Sequence, residues 1–139
     1  MAKTIPFRLI TPTAAAFEGE AELVIGVGTE GEEGILPSHA PFLTALRPGI
    51  LRANAVEDGQ PRRREFATSG GFMQALPDRI TILVDHALTP DEVDVDAARA
   101  ELQSAQERQK AHAPQTAEFA LEAANIDFAN ARLALRTGA

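Results

Sequence analysis

Between residues 25 and 52 the chain reads IGVGTEGEEGILPSHAPFLTALRPGILR. Gly and Pro recur too often in this stretch for a helix, because Gly is costly in a helix interior and Pro removes a backbone donor. Gly31 and Gly34 can adopt positive φ, and Pro37 and Pro41 fix φ at about −65°, which predicts a stiff loop between two strands. We expect the tip of this loop to present four charged or titratable side chains: Glu30, Glu32, Glu33 and His39.

The stretch lies within a longer region of short apolar runs separated by turn residues. These runs predict the following strands: Pro6–Ile10, Ala14–Phe17, Ala21–Gly28, Gly34–Leu36, Phe42–Leu46, Ile50–Val56, Arg62–Thr68, Phe72–Ala75 and Arg79–Asp85. Asp58-Gly59 predicts a hairpin turn between two of them. In the last two strands Phe72 and Ala75, and then Ile80, Ile82 and Val84, are taken to show the two-residue alternation of half-buried strands. Many short strands at close spacing predict a β-sandwich over residues 1–88.

Beyond residue 88 the pattern becomes helical. Thr89–Glu92 has the composition of a capping box with Pro at the first helical position, and Asp94 is an alternative cap one turn later. Apolar residues at 95, 98, 102 and 105 then form a narrow seam, and Pro114 ends the helix. A second helix is predicted from about Thr116 to Arg136. The expected fold is therefore α+β, with the sandwich followed by an antiparallel two-helix hairpin over residues 89–139.

The second predicted helix carries two apolar ridges, each with a seven-residue repeat. One ridge contains Phe119, Ile126 and Leu133, and the other, on nearly the opposite side, contains Leu121, Phe128 and Leu135. Two ridges favour two contacts at once, one with the first helix and one with the sandwich or a partner protein. Asp127 falls on the alanine-rich side, where a buried charge would need a partner.

Composition excludes several functional classes. The chain has 139 residues, no Cys and a formal net charge of −7. The negative charge argues against binding to nucleic acid or to an anionic lipid surface. No apolar run approaches the roughly 18 residues of a membrane span, and the first residues lack the apolar segment of a signal peptide. We therefore expect a protein with no nucleic-acid partner and no direct membrane insertion.

The sequence does not group residues for metal binding or nucleophilic catalysis. His39, His86 and His112 are scattered without a paired spacing on one element, so no metal site is expected. Ser38 adjoins His39 but has no third triad member, and Ser69 lacks the Gly-x-Ser-x-Gly setting of a nucleophile. Both serines are predicted to form turns, and the chain is not expected to be an enzyme.

Three motifs of the chain, in this order and spacing, resemble those of one family. The segment Glu30–Arg52 is the most recognisable motif, Ser69–Phe72 (SGGF) followed by Ile80–Leu83 (ITIL) is the second, and Val95–Ala100 (VDAARA) is the third. The chain is similar in these motifs to the epsilon subunits of bacterial F-type ATP synthases, and the similarity spans nearly its whole length.

The resemblance implies a non-catalytic subunit of the central stalk, or rotor, that couples proton flow to ATP synthesis. Its partners would be the gamma subunit and the ring of membrane c subunits. It would lie on the cytoplasmic face of the bacterial inner membrane, held there only through the complex. In epsilon subunits the loop of the first motif abuts the c ring, which implies that Glu32 and His39 lie at that contact. Such charged contacts confer register and specificity more than affinity.

The third motif resembles one that binds regulatory ATP in some bacterial epsilon subunits. On this resemblance Asp96, Arg99 and Ala100 belong to the nucleotide site, and Arg132 and Arg136, four residues apart on one helix face, would contact phosphate. Val95 stands where the motif has Ile or Leu, and the segment Leu88-Thr89-Pro90 offers no acid where the ATP-binding members have one. No other cofactor is expected.

The helical hairpin is expected to regulate the complex. Its second helix can serve two alternative partners, so we expect the hairpin to leave the sandwich, extend along gamma toward the alpha and beta subunits, and inhibit ATP hydrolysis. The residues also leave two other classes open. One is a free-standing module that senses a nucleotide. The other is a small hydrolase that uses Ser38, His39 or Ser69.

Overall fold

The computed structural model describes residues 3–138 and shows strands followed by helices. The strands are β1 (Ile5–Ile10), β2 (Ala15–Gly28), β3 (Gly31–Ile35), β4 (Phe42–Leu46), β5 (Gly49–Glu57), β6 (Gln60–Thr68), β7 (Gly71–Leu76), β8 (Arg79–Val84) and β9 (Ala87–Leu88), and the helices are α1 (Val95–Gln109) and α2 (Ala117–Thr137). A single 3-10 turn, Pro90–Glu92, connects β9 to α1. The predicted α+β order, a β-sandwich followed by a helical hairpin, is confirmed.

The long strand β2 closes the sandwich. Its first half pairs with β1, and its second half pairs with β5 on one side and with β3 on the other. β1 continues into a layer with β8, β7 and β4, and β5 continues into a layer with β6 and β9. β4 returns to β2 at the Gly28–Leu46 pair. The hydrogen-bonded ladder therefore passes through both layers, with β2 shared between them.

The hydrophobic core lies between these layers. Its largest fully buried side chains are Ile5, Phe7, Leu9, Val24, Leu51, Met73, Ile80 and Ile82. They alternate with exposed residues along β1, β7 and β8, as a strand with one buried face requires. Every residue of this cluster belongs to the strands, so the helices are not needed to complete it.

Three of the predicted strands have the wrong boundaries. The predicted strands Ala14–Phe17 and Ala21–Gly28 are one strand, because Gly19 does not interrupt the pairing and the Phe17 ring lies over it, 3.1 Å from where a Cβ would stand. The predicted strand Gly34–Leu36 begins earlier and is Gly31–Ile35, since residues 31–35 continue the ladder with β2.

Local turn and cap signals were more reliable. Asp58 and Gly59 both have positive φ, 54° and 76°, as a two-residue hairpin turn requires, and they join β5 to β6. Asp94 is the N-cap of α1, where its carboxylate accepts a hydrogen bond from the Ala97 amide at 3.0 Å. The Thr89 box therefore caps only the 3-10 turn before α1.

The hairpin packs through small side chains. Ala98 and Ala105 of α1 are fully buried, which confirms the predicted narrow seam, and Ala129 is fully buried in α2. α2 contacts α1 and also β5 and β6 of the sandwich, so the predicted double contact is confirmed. Asp127 is exposed, and the expectation that it needs a buried partner is wrong. Among the described residues, no helix is both long and apolar enough to cross a membrane.

Candidate functional site

The tip between β2 and β3 carries an acidic group held by an ion pair. Gly31 has a φ of 131°, which only glycine adopts readily, so it allows the chain to turn back at Thr29 and Glu30. Glu32 follows on β3, and its Oε1 accepts a hydrogen bond from Nη2 of Arg52 at 2.5 Å. The Glu32 side chain remains 59% exposed, so the hairpin tip presents a fixed but accessible carboxylate.

His39 lies elsewhere, in the loop between β3 and β4. Ser38 before it has a φ of 66°, which makes the loop turn sharply. The His39 Nδ1 lies 2.5 Å from the carbonyl oxygen of Ala40, its ring meets Phe42 edge-on at 5.9 Å, and its Nε2 is buried with no hydrogen-bond partner among the described residues. This loop begins at the end of β3 that lies away from the β2–β3 hairpin tip.

The expectation that Glu30, Glu32, Glu33 and His39 share one tip is therefore wrong. Residues 31–35 gain a ladder of backbone hydrogen bonds by extending beside β2, and this strand separates the acids from the histidine. The structure thus offers two separate contact points where the sequence predicted one. The roles of Glu32 and His39 in a ring contact stay predictions.

An exposed apolar patch covers the outer face of β4, β7 and β8. Leu43, Phe72 and Leu83 are 68%, 56% and 51% exposed and lie on three adjacent strands, with Phe72 directly opposite Leu83. Two cavities, of about 690 and 380 Å³, share Phe72 and Leu83 in their walls. Contiguous exposed apolar surface of this kind marks a site of protein interaction.

Sequence reasoning missed this patch. It counted Phe72 and Ala75 in the same two-residue alternation, although residues three apart in a strand point to opposite sides. In the structure Met73 and Ala75 are buried and Phe72 faces outward. A strict two-residue alternation would have revealed the patch. It places Phe72 and Leu83, both large and apolar, on the face opposite to the buried residues of their strands.

An ion cluster joins the two helices of the hairpin. Nε of Arg108 on α1 donates to Oε2 of Glu122 on α2 at 2.7 Å, and its Nη2 donates to Glu101 at 3.1 Å. Asn125 donates to the other Glu122 oxygen at 2.8 Å. The hydrogen bond from Arg108, then that from Asn125, lowers the pKa of Glu122, while Glu122 raises the pKa of Arg108. The carboxylate of Glu122, only 7% exposed, is thus stabilised in its charged form.

The residues expected to bind nucleotide lie in the first turns of α1 and the last two turns of α2, and among the described residues no hydrogen bond or ion pair joins the two groups, so their common site stays a prediction. Asp96, Arg99 and Ala100 are exposed on α1, and within the described part of the chain the side chains of Asp96 and Arg99 make no hydrogen bond or ion pair. On α2, the guanidinium of Arg132 lies 4.6 Å from the centre of the Phe128 ring, while Arg136 lies 3.5 Å from Asp91 and donates to the Pro90 carbonyl.

The groups considered for metal binding or catalysis serve other purposes. No three His, Cys, Asp or Glu side chains of residues 3–138 are close enough to share a metal ion. The hydroxyl of Ser69 accepts a hydrogen bond from the His86 amide at 2.9 Å, which holds the turn after β8. The ring of His86 stacks on Phe128 of α2 at 6.0 Å. Ser69 and His86 therefore support the junction between the sandwich and the hairpin.

Comparison with known proteins identifies the class. Residues 4–101 match the family model described as "ATP synthase, Delta/Epsilon chain, beta-sandwich domain". The chain is 38% identical over 138 residues to the ATP synthase epsilon chain of Rhodospirillum rubrum, covering 99% of this chain and all of that relative. It is 43% identical over 108 residues to that of Desulforamulus reducens, covering 78% of this chain and 79% of the relative.

Solved structures have the same fold at lower identity. A chain in a cryo-EM structure of the Euglena gracilis mitochondrial ATP synthase, with OSCP, F1 and c-ring, matches with a TM-score of 0.73 and 21% identity, covering 91% of this chain and 78% of that one. A chain in the central stalk and c-ring of the Tetrahymena thermophila enzyme matches with a TM-score of 0.60 and 18% identity, covering 98% and 96%. At these identities the likeness shows the fold alone.

The sandwich, the hairpin and the family match together define a subunit of the ATP synthase delta/epsilon class. More particularly, the chain belongs to the ATP synthase epsilon chain family and is a non-catalytic subunit of an ATP synthase.

Proposed function

We propose that this chain joins the gamma subunit to the c ring of a bacterial F-type ATP synthase, on the cytoplasmic face of the inner membrane. The observation that carries the proposal is the apolar patch of Leu43, Phe72 and Leu83. Because this patch lies on a different part of the sandwich from the acidic tip at Glu32, the two surfaces can engage two partners together. Gamma is assigned to the patch, since burying apolar side chains supplies affinity.

The assignment is tested by pull-down from membranes of the source organism with the tagged full-length chain. We expect the unmodified chain to recover gamma together with alpha, beta and c subunits, identified by mass spectrometry. Leu43→Asp should lose gamma, because it places a charge within the patch. Leu121→Asp is the matched control, since Leu121 is equally exposed but lies on α2. Recovery of gamma by Leu43→Asp would contradict the assignment.

The ring contact is assigned to the tip of the β2–β3 hairpin through Glu32. An exposed carboxylate is suited to basic loops of a rotor ring and would fix the register of the two parts. His39 lies beside Phe42 rather than beside Glu32, so we assign it to a second, separate point of the ring contact. Glu32→Lys should weaken recovery of the c ring while leaving recovery of gamma unchanged, and the reverse result would exchange the two assignments.

The hairpin is proposed to inhibit ATP hydrolysis by leaving the sandwich and extending along gamma toward alpha and beta. This is supported by two contacts near the junction that involve exposed residues: His86 of the sandwich stacks on Phe128 of α2, and Arg136 of α2 pairs with Asp91 in the turn that leads into α1. Contacts of this type contribute little individually, so the attachment is reversible. Deleting residues 89–139 should raise ATP hydrolysis by the assembled complex, and unchanged hydrolysis would refute the inhibitory role.

Nucleotide binding to the hairpin is a second proposal, supported by Arg132 and Arg136 on one face of α2 beside the turn at Asp91. Binding of ATP would require Arg132 to leave Phe128 or Arg136 to leave Asp91, because both guanidiniums are engaged. Titration of the free chain with ATP–Mg²⁺ by calorimetry tests this. Binding that disappears in Arg132→Gln would support the site formed with Asp96, Arg99 and Ala100, and the absence of heat at millimolar ATP would refute it.

A further inference from the structure

Arg52 forms an ion pair with Glu32 rather than with the acidic residue opposite it in the sheet. It lies on β5, where its neighbour across the β5–β6 pair is Glu65 and its neighbour across the β2–β5 pair is Ile25. A cross-strand neighbour of opposite charge is the usual partner in a sheet. Glu65 instead pairs with Arg63 at 3.6 Å, and Arg52 reaches beyond β2 to Glu32 on β3. Its guanidinium therefore connects the hairpin tip to the centre of the sheet.

The two members of this pair are held to different degrees. The Arg52 side chain is 29% exposed, half the exposure of Glu32, and its Nε is buried. Leu23 and Ile25 line the depression beside it, so its aliphatic stem packs against apolar surface. Only Oε1 of Glu32 has a hydrogen-bond partner in the described structure. Arg52 is thus the fixed member, and Glu32 keeps its second oxygen for another donor.

We propose that Arg52 is a positioning residue for the ring contact: it holds the Glu32 carboxylate at the hairpin tip so that the free oxygen meets a basic side chain of the c ring. This inference rests on the contact proposed above for Glu32. Arg47 lines the same cavity of about 400 Å³ as Glu32. Without Arg52, the Glu32 side chain is free to rotate, including toward Arg47. Binding to the ring would then have to restrict this side chain, and the lost conformational entropy would weaken the contact.

The experiment measures the affinity of the full-length chain for a purified gamma–c-ring subcomplex from the same source, immobilised through gamma. We expect Glu32→Gln and Arg52→Gln each to weaken binding about three- to tenfold. The double variant should bind no more weakly than Glu32→Gln, because the two residues act through one contact. Arg63→Gln is the matched control: it removes the same charge from the adjacent strand without touching Glu32, and it should change affinity less than twofold.

A charge exchange separates positioning from a merely structural role. The double variant Glu32→Arg with Arg52→Glu restores an ion pair, so its melting temperature should return to that of the unmodified chain. Its affinity should stay low, because an arginine now stands where the ring's basic side chain needs a carboxylate. Recovery of affinity together with the melting temperature would show that the pair only stabilises the sheet, and it would overturn the proposal.

The remaining outcomes are distinguishable. If Glu32→Gln binds as well as the unmodified chain, the ring contact at Glu32 is wrong and the role of Arg52 falls with it. If Glu32→Gln weakens binding but Arg52→Gln behaves like Arg63→Gln, the contact stands and only the role of Arg52 is refuted. Should Arg52→Gln fail to fold, Arg52→Lys replaces it. It keeps the charge but loses the planar fork, and we expect weaker binding here too, with wild-type affinity counting against the proposal.

Discussion

Gly71 stands where the backbone of β8 passes close to that of β7. A Cβ on this residue would lie 1.9 Å from the carbonyl oxygen of Leu83 and 2.9 Å from Cγ1 of Val84. A backbone carbonyl cannot rotate away as a side chain can, so the strands would have to separate. We expect Gly71→Ala to lower the free energy of unfolding by about 3 kcal/mol, measured by urea denaturation.

Gly34→Ala provides the control for this prediction. Gly34 also lies in a strand, but a Cβ there would meet Cδ1 of Leu23 at 3.5 Å, an ordinary contact. The change should alter the free energy of unfolding by less than about 0.5 kcal/mol, since Ala restricts the unfolded chain and opposes any small loss of packing. Equal effects at Gly71 and Gly34 would show that close approach of the backbones is not the cause.

Glu122 should make the stability of the hairpin depend on pH. Its hydrogen bond with Arg108, followed by that with Asn125, holds the folded-state pKa below the ordinary value of 4.5. A lowered folded-state pKa contributes stability that is fully present above about pH 4.5 and is lost as the pH falls through the folded value. Glu122→Gln should therefore lower the melting temperature at pH 7, and the difference from the unmodified chain should shrink toward pH 3.

The matched control for Glu122 is Glu107→Gln. Glu107 is an exposed residue of the same hairpin whose ion pair with Lys110 spans one turn of α1, so its removal should change the melting temperature little at either pH. Glu57, whose pKa is lowered by its hydrogen bond with Arg64, titrates in every variant and cancels in the comparison. A Glu122 effect that is the same at pH 3 and pH 7 would contradict the electrostatic explanation.

At the scale of elements, the Phe128 ring is the main apolar contact that the structure shows between α2 and the turn after β8. Its neighbours are the stacked ring of His86, 6.0 Å away, and the guanidinium of Arg132 at 4.6 Å. Stacking and cation–π contacts contribute about 1–2 kcal/mol together. We expect Phe128→Ala to loosen the attachment of the hairpin, seen as faster hydrogen exchange of α2 amides with unchanged exchange in β7 and β8.

Leu121→Ala is the control for this change, because Leu121 lies on the same helix but is exposed. It should leave hydrogen exchange in α2 unchanged. If Phe128→Ala instead accelerates exchange in the sandwich and the hairpin together, the two parts open as one cooperative unit, and the ring is not a separable attachment.

Elements defined by local signals could be predicted from the sequence, and those defined by distant neighbours could not. The turn at Asp58-Gly59, the Asp94 cap and the boundaries of α2 each depend on a few adjacent residues. The unbroken β2 and the early start of β3 depend on ladders that form only when the sandwich closes. Strand propensity alone cannot show which glycines will lie within a hydrogen-bonded strand and which will end it.

The same distinction applies to the candidate site. Glu32 was predictable as an exposed acid, because it lies among glycines and other acids. Its partner Arg52 is twenty residues away on a strand that is not adjacent to β3, and Arg108 meets Glu122 only across the helical hairpin. Pairs of this kind are determined by the topology of the fold. The charged residues can be recognised in the sequence, but which of them pair with each other cannot.

For the whole molecule, the location of the core decides how independent the sandwich is. Every residue of the main hydrophobic cluster lies within the strands, and α2 contacts β5 and β6 without contributing a residue to that cluster. The hairpin therefore adds stability from outside without completing the core. This arrangement is required if the hairpin is to leave the sandwich during regulation, because a sandwich that unfolded on its departure would release gamma and the ring.

We therefore expect a chain truncated after residue 88 to fold. It should show a single cooperative thermal transition and the strand-rich circular dichroism of a sandwich, with a melting temperature below that of the full chain, because β5 and β6 lose the cover of α2. A second truncation after residue 84 is a suitable comparison. It also removes β9, which pairs with Ala67 and Thr68, and should cost further stability.

A broad, non-cooperative transition in the chain truncated after residue 88 would show that the hairpin is an integral part of the fold. In that case higher ATP hydrolysis after its deletion would reflect loss of the whole subunit from the complex rather than release from inhibition. A cooperative transition makes the hydrolysis experiment decisive, because the sandwich would then still join its partners while the hairpin alone is missing. Folding of the truncated chain is therefore the measurement on which the regulatory interpretation depends.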